Sequence, residues 1–525
     1  MNANEPVKIK GGVLTRFALW LFSRRGLKSI GIFLVWLITI VFLVYALENW
    51  RGKRAWNEVK ADLEKRGQTW QFEALVPKPV PPDQNFASLP LVTNWFDRAH
   101  MTNSTDDKHL LSIARNKLGK PKRDQNRLEP MVATDLVAWA KAIELATNSS
   151  TLNGALDIPP TTPEESTTEA RTRAAAVVLA ALAADEPALA QIREALRRPY
   201  SRYPINYDTP DPWSILLPHL AKLKMWSQRL VLKASAELAL GKTDQALQDI
   251  ETTLALQDTL EHEPFLISYL VRVAIFKIAF QPVWEGLHEH RWSDGQLKAL
   301  MEKYSKYDFV PDLEQPLATE RAASLKTVEL ISLHGELAGA VTGGGPNVPT
   351  IARMLPSGWY YLEMANFSRI MDRLLWNGLD LKDRRVHPDT LKANQKWFES
   401  TRANSVKLLL RHEIAAGLLL PALPKVTRRA AEAQTLVDFS LLACALECYR
   451  IQNGNYPDSL PALAPACIPA LPKDWITGAP YQYRKTDASF MLYSVGWDEK
   501  DDAGDTRLVK DDDKPGDWVW GYAFP

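Results

Sequence analysis

Cysteine is scarce in this chain: Cys444, Cys448 and Cys467 are the only three among 525 residues. That excludes a small disulfide-stapled scaffold. Without a paired Cys-x-x-Cys, nothing in the sequence points to a zinc ribbon or a dithiol centre. An excess of one charge is lacking as well. Sixty-three Lys and Arg face 62 Asp and Glu, a formal net charge of +1, so no global field draws nucleic acid to the chain. At 46% hydrophobic and 24% charged, the composition is that of an ordinary folded chain and excludes wholesale disorder and a polytopic membrane protein.

Catalytic motifs are missing too. There is no nucleophile elbow and no dinucleotide fingerprint. Gly241-Lys242-Thr243 ends like a phosphate-binding loop, but Ala236 stands where the first Gly is needed and a helical pattern precedes it. His412-Glu413 lacks the second His of a zincin helix, because Ala416 holds that place. The dense histidine clusters, Glu261-His262-Glu263 and His288-Glu289-His290, alternate around a helix and read as solvated helix ends. The sequence names no reaction and leans away from an enzyme.

What is present begins with one uncharged run, Ile30 to Leu47. Eighteen residues at 1.5 Å each span roughly 27 Å, close to the ~30 Å hydrocarbon core of a bilayer. The run predicts a transmembrane helix over 29–50, with Tyr45 and Trp50 at headgroup level. It is longer than a signal-peptide core, and no small-residue cleavage pattern follows it. A prepilin reading fails, since Trp36 stands where a Glu is needed five residues after Gly31. Residues 1–28 carry six basic side chains against Glu5, while acids dilute the basic cluster at 51–66. This favours a cytoplasmic N-terminus and an exported bulk at a bacterial inner membrane. A body tethered on the inner side is the other topology.

Residues 51–168 read as a spacer and a loop-rich approach to the body, broken at Val76–Asp83 and at Asp157–Thr168. Residues 169–425 read as a large helical body, with a tetratricopeptide-like hairpin near 221–260 that occurs once and therefore builds no solenoid, and with helix-like runs at 314–341, 359–378 and 389–420 divided by a loop at 342–358 and a turn at Asp380–Pro388. The aromatic and basic stretch Arg197–Tyr207 suits either a binding groove or a loop packed on helices. Residues 426–525 change character: a long helix stops at Asn453-Gly454-Asn455, and strands are expected at 481–484 and 490–495. The fold class is mainly α, with a small C-terminal α+β unit.

In that unit Tyr449, Asn453-Gly454, Tyr456-Pro457, Gly478, Pro480-Tyr481, Tyr483-Arg484 and Leu492–Gly496 stand in an order that resembles the globular part of the type II secretion major pseudopilin. The resemblance covers about residues 426–505 and implies a helix on a small sheet followed by a calcium loop. Asp498, Asp501, Asp502 and Asp505 fall where that loop would be, and Gly504 permits a sharp bend. Ca²⁺ is the expected ligand; a solvated acidic tail is the alternative, and the better one for Asp511–Asp513. The chain departs from the pseudopilin plan, because about 380 residues separate this helix from the membrane run.

The whole chain also resembles a family of uncharacterised bacterial membrane-anchored proteins, through Arg197–Tyr207, Glu263–Ser268, Gln281–Leu287 and Asp517–Trp520. In an oxidising compartment Cys467 pairs better with Cys444 or Cys448 than those two do with each other; three buried thiols are the other reading. The expected function is a membrane-anchored envelope assembly or interaction protein, associated with secretion, whose partners are the bilayer through residues 30–47 and envelope proteins. An envelope hydrolase with its site in the helical body is the competing expectation, and it requires a deep pocket gathering His, Asp or Glu.

Overall fold

A helix stops where its sequence supplies a stop, and none follows Leu47. In the computed structural model, which describes residues 20, 23–97, 110–118, 130–149, 167–334, 355–421, 423–486, 489–506 and 516–522, Arg24–Lys65 is one unbroken helix. Its 42 residues make a rod about 63 Å long. Ser23 caps its start by accepting the Gly26 N–H at 3.0 Å. Gly67, at φ +71°, lets it end with Gln68 N–H donating to the Leu63 carbonyl and Gly67 N–H to that of Glu64. The upper part is long and apolar enough to cross a membrane and has no residue of its most apolar window buried. Two further helical stretches pass the same measure, Thr168–Ala195 and Leu266–His288, but 44% and 61% of their windows are buried inside the body.

The lower turns belong to the body, so residue 50 is not a structural boundary. Trp56, Val59 and Leu63 are core side chains. They pack along the parallel helix Ser357–Met371. The two backbones touch where both lack a side chain: a Cβ on Gly52 would lie 2.1 Å from the Gly358 carbonyl oxygen, and one on Gly358 2.1 Å from that of Glu48. Asn49 Oδ1 accepts Gly358 N–H at 2.7 Å at the upper end. Arg66 pairs with Asp372 at 2.8 Å at the lower end.

The helices Pro218–Ala239 and Thr243–Asp258 form the expected hairpin, turned by Gly241 at φ +72°. Leu110–Leu118, Leu136–Ser149 and Thr167–Leu182 pack together on its outer side. The first two lie within the stretch expected to be loop-rich. Residues 389–420 were expected as one helix and are three: Pro388–Arg402, Ser405–Arg411 and Ile414–Leu419. The breaks fall at Asn404, whose side chain caps the next helix, and at His412, which adopts φ +57°. The Asp380–Pro388 turn is a small hairpin of β1, Leu379–Asp380, and β2, Arg385–Val386. Most of the Asp157–Thr168 breaker and all of residues 1–19, 342–354 and Asp511–Asp513 lie outside the described residues.

Pro424–Asn453 is the axis of the body. Residues Ala430 to Cys448 are buried with the sole exception of Leu441, and the helix packs on Leu266–His288, Asp294–Tyr304 and Pro388–Arg402. Ala430, Ala431, Ala433, Ala443 and Ala445 allow these close approaches. The strands follow it: β3 (Gln482–Lys485), β4 (Phe490–Ser494) and β5 (Trp518–Val519) form an antiparallel sheet in the order β3-β4-β5. One apolar cluster contains Trp56, Phe367, Phe439 and Trp518 together, so the C-terminal segment is part of the body's core.

Because the Gly52–Gly358 contact is backbone on backbone, Gly358→Val cannot be absorbed by a side-chain shift. Overpacking of this kind costs about 1–3 kcal/mol or more. The full-length variant in detergent should melt several degrees below the parent, and an unchanged Tm would show that the two helices are free to separate here.

Candidate functional site

A cleft of about 260 Å³ opens between helix Leu266–His288, the central helix and the C-terminal sheet. Trp284, Leu287, Phe490 and Trp520 supply aromatic and apolar walls, and His288, His290, Glu447, Tyr456 and Ser489 supply polar groups. His288 stacks on Trp284 at 5.0 Å. Glu447 is almost wholly buried. Its carboxylate accepts two hydrogen bonds from Arg450, at 2.7 and 2.9 Å, and one from Tyr456 OH at 3.0 Å. His290 Nδ1 lies 2.9 Å away. Burial pushes the Glu447 carboxyl up, but the hydrogen bonds from Arg450, His290 and Tyr456 outweigh it and leave the group below its ordinary value. It is an ionised clamp whose oxygens are already engaged.

About two and a half turns earlier on the same helix, Asp438 accepts Tyr481 OH at 2.7 Å and the Gln434 amide at 3.1 Å. Burial pushes its carboxyl up to about 7, against the pull of those two donors. Asp474 is likewise buried and raised; it takes Ser494 OH at 2.8 Å and the Ile476 N–H at 2.8 Å. Asp438 ties the residue before β3 to the helix, and Asp474 ties its own loop to β4.

The acidic loop leaves β4 through four residues at positive φ, Gly496, Glu499, Ala503 and Gly504, of which only the two glycines take that backbone without strain. Asp498 accepts Lys500 N–H at 3.3 Å. Asp501 accepts Tyr493 OH at 3.1 Å and Ala503 N–H at 2.9 Å. Asp502 offers its carbonyl to Asp505 N–H at 3.2 Å. Glu499 reaches across to cap Pro388–Arg402, accepting Asp389 N–H at 3.0 Å. The residue the spacing argument missed is Asp517. Fully buried, it accepts the backbone N–H of Gly504 at 2.6 Å and of Asp502 at 3.3 Å, and so holds the loop's shape. Burial, with Asp502 and Asp501 nearby, pushes it up to about 6. Its only signal in sequence was its place at the head of Asp517-Trp-Val-Trp520.

The four loop aspartates thus share one segment. Among the described residues no three His, Cys, Asp or Glu side chains converge as a metal-holding group. The three cysteines are free thiols, Cys444 and Cys448 buried and Cys467 partly so; burial pushes Cys448 up to about 12, which leaves it a poor nucleophile.

The Arg197–Tyr207 stretch is anchored to the body at Arg198, Arg202, Tyr203 and Ile205, while Arg197 and Tyr200 stay exposed. Arg202 donates to the Pro77 carbonyl at 2.9 Å, Arg198 to that of Asn85 at 2.9 Å, and buried Tyr203 stacks on His219 at 4.1 Å. His219 Nε2 lies 2.8 Å from Glu263, whose other oxygen accepts Ser268 OH. This trio includes a serine, a histidine and an acid, but the serine faces the acid and all three are sealed from solvent, so it is not arranged for nucleophilic catalysis.

Asp438 gives a pH test. A carboxyl raised in the folded state holds its proton more tightly folded than unfolded, so its stabilising effect is complete below the ordinary carboxylate range and is lost as pH rises from about 4 to about 7. Asp438→Asn cannot ionise and keeps an acceptor for Gln434. It should melt roughly several degrees above the parent at pH 8, with the gap narrowing toward pH 4; a gap that does not change with pH would mean that Asp438 titrates normally.

Compared with protein-family models, with curated proteins and with solved structures, the chain matches none.

Proposed function

We propose that the chain is a single-pass inner-membrane protein, N-terminus cytoplasmic and bulk periplasmic, that acts by binding envelope partners. The observation that carries the binding half of this reading is the state of Glu447: it is the one carboxylate that lines the cleft among the described residues, and it is engaged by Arg450, Tyr456 and His290. A general base needs a free lone pair aimed at substrate. What remains available is an aromatic cleft, Trp284, Phe490 and Trp520, edged by His288 and His290, which suits an apolar or aromatic side chain of a partner. Secretion or pilus components are the proposed partners, on the resemblance of the C-terminal unit.

The topology rests on the basic N-terminal flank and the exposed apolar rod. Alkaline phosphatase fused after Pro525 should be active, because it requires export; an inactive, stably produced fusion places the body inside. For partner binding, Trp520→Ala in the full-length protein should lose the secretion components that the parent recovers from its own cells in mild detergent. Recovery unchanged by Trp520→Ala would exclude the cleft.

Calcium at the acidic loop is proposed on the resemblance of the C-terminal unit and on donor chemistry: Asp498, Asp501, Asp502 and Asp505 are hard oxygen donors in one turn-rich segment. Millimolar Ca²⁺ should raise the Tm of the full-length protein by about 2–4 °C. Asp498→Asn with Asp502→Asn should abolish the gain, and a parent Tm indifferent to Ca²⁺ removes the ion from the reading.

A further inference from the structure

Helix Ser405–Arg411 has no buried residue. Val406, Leu409 and Leu410, spaced i, i+3, i+4 on one face, are 64%, 50% and 73% exposed, and Leu418 on the next helix is 63% exposed. Four large apolar side chains clustered in solvent need an occupant.

Their position says which. The residue that ends this helix, His412, sets its Nε2 2.7 Å from Glu48 Oε1, and Glu48 is the first charged residue after the uncharged run Ile30–Leu47. The elbow is held there by several independent contacts. Trp359 meets the His412 ring at 5.5 Å. Asn366 donates to the Arg411 carbonyl at 2.7 Å. Glu363 accepts the N–H groups of Ile414 and Ala415 at 3.2 and 3.0 Å. Trp359, Glu363 and Asn366 all stand on the helix locked to the long rod through Gly358. The apolar face is therefore fixed beside the level at which the rod's own apolar surface ends. Arg402, Lys407 and Arg411 are exposed around it, the charge that anionic lipid headgroups attract.

We infer that Ser405–Leu419 is an interfacial element that seats Val406, Leu409, Leu410 and Leu418 in the same bilayer the long helix crosses, giving the body a second lipid contact. The inference rests on the proposal that the rod spans a membrane. Its leucines would enter the headgroup and acyl boundary, about 5–10 Å deep, as amphipathic surface helices do.

Three exposed positions make the test: Leu410, Val132 and Phe42, which are 73%, 73% and 72% exposed in the protein alone. Each is changed to Cys in the full-length chain, loaded one copy per nanodisc of phosphatidylethanolamine and phosphatidylglycerol. Labelling by a membrane-impermeant maleimide is timed against the parent, whose own thiols set the baseline. Val132→Cys should label freely, and Leu410→Cys and Phe42→Cys at least about ten-fold more slowly, since lipid excludes the reagent. One copy per disc prevents a second chain from providing the protection. If Phe42→Cys is protected while Leu410→Cys labels like Val132→Cys, the interfacial element is wrong and the membrane-spanning rod stands. If Phe42→Cys also labels freely, the rod does not span and the inference falls with it.

Discussion

Two helices can lie against each other only as closely as their side chains allow, and Gly52 and Gly358 have none. Their contact determines how the body is posed. It brings Ser357–Met371 against the rod, so the ion pairs Glu58–Arg369 and Arg66–Asp372 form in register below it and Trp56, Val59 and Leu63 enter the common core. The rod has no Pro or loop between its apolar half and its buried half. Anything that fixes its upper half therefore fixes the body as well.

The second organising feature is a helix with almost no solvent face. Pro424–Asn453 includes Glu432, Gln434, Asp438 and Glu447, and all four are buried. Each is answered from outside its own first turn or two: Lys277 for Glu432 at 3.3 Å, Phe309 N–H for Gln434 at 2.7 Å, Tyr481 for Asp438, His290 and Tyr456 for Glu447. Paired in this way, such groups specify one packing arrangement, because slipping the helix by a residue would strand several of them unpaired.

That pairing also explains what sequence could and could not reveal. The apolar run, the hairpin turned at Gly241, the helix stop at Gly454 and the two strands near 482 and 490 follow from local rules, and all were legible. The burial of the central helix was not. Its alternating acids and small residues look like a solvated face until residues 150 or more positions away, such as Lys277 and His290, are placed beside them. Asp517 was hidden for the same reason, since its role depends on a loop that folds back to it across an acidic stretch. The single helix expected over 389–420 failed locally: Asn404 is an N-cap and His412 a left-handed stop, two residues whose propensities a periodicity argument overlooks.

A core whose axis is encoded late has a consequence for synthesis. The rod emerges from the ribosome about 360 residues before Pro424, and at roughly 5–20 residues per second that interval is on the order of 20–70 s. Throughout it the surrounding helices have no centre to close on. The nascent chain must wait, already inserted if the rod spans, with the faces of Leu266–His288 and Asp294–Tyr304 that the axis will cover still open. Such a chain depends on whatever shields apolar surface at the membrane during translation, and a stop codon ahead of Pro424 removes the centre of the protein rather than its edge.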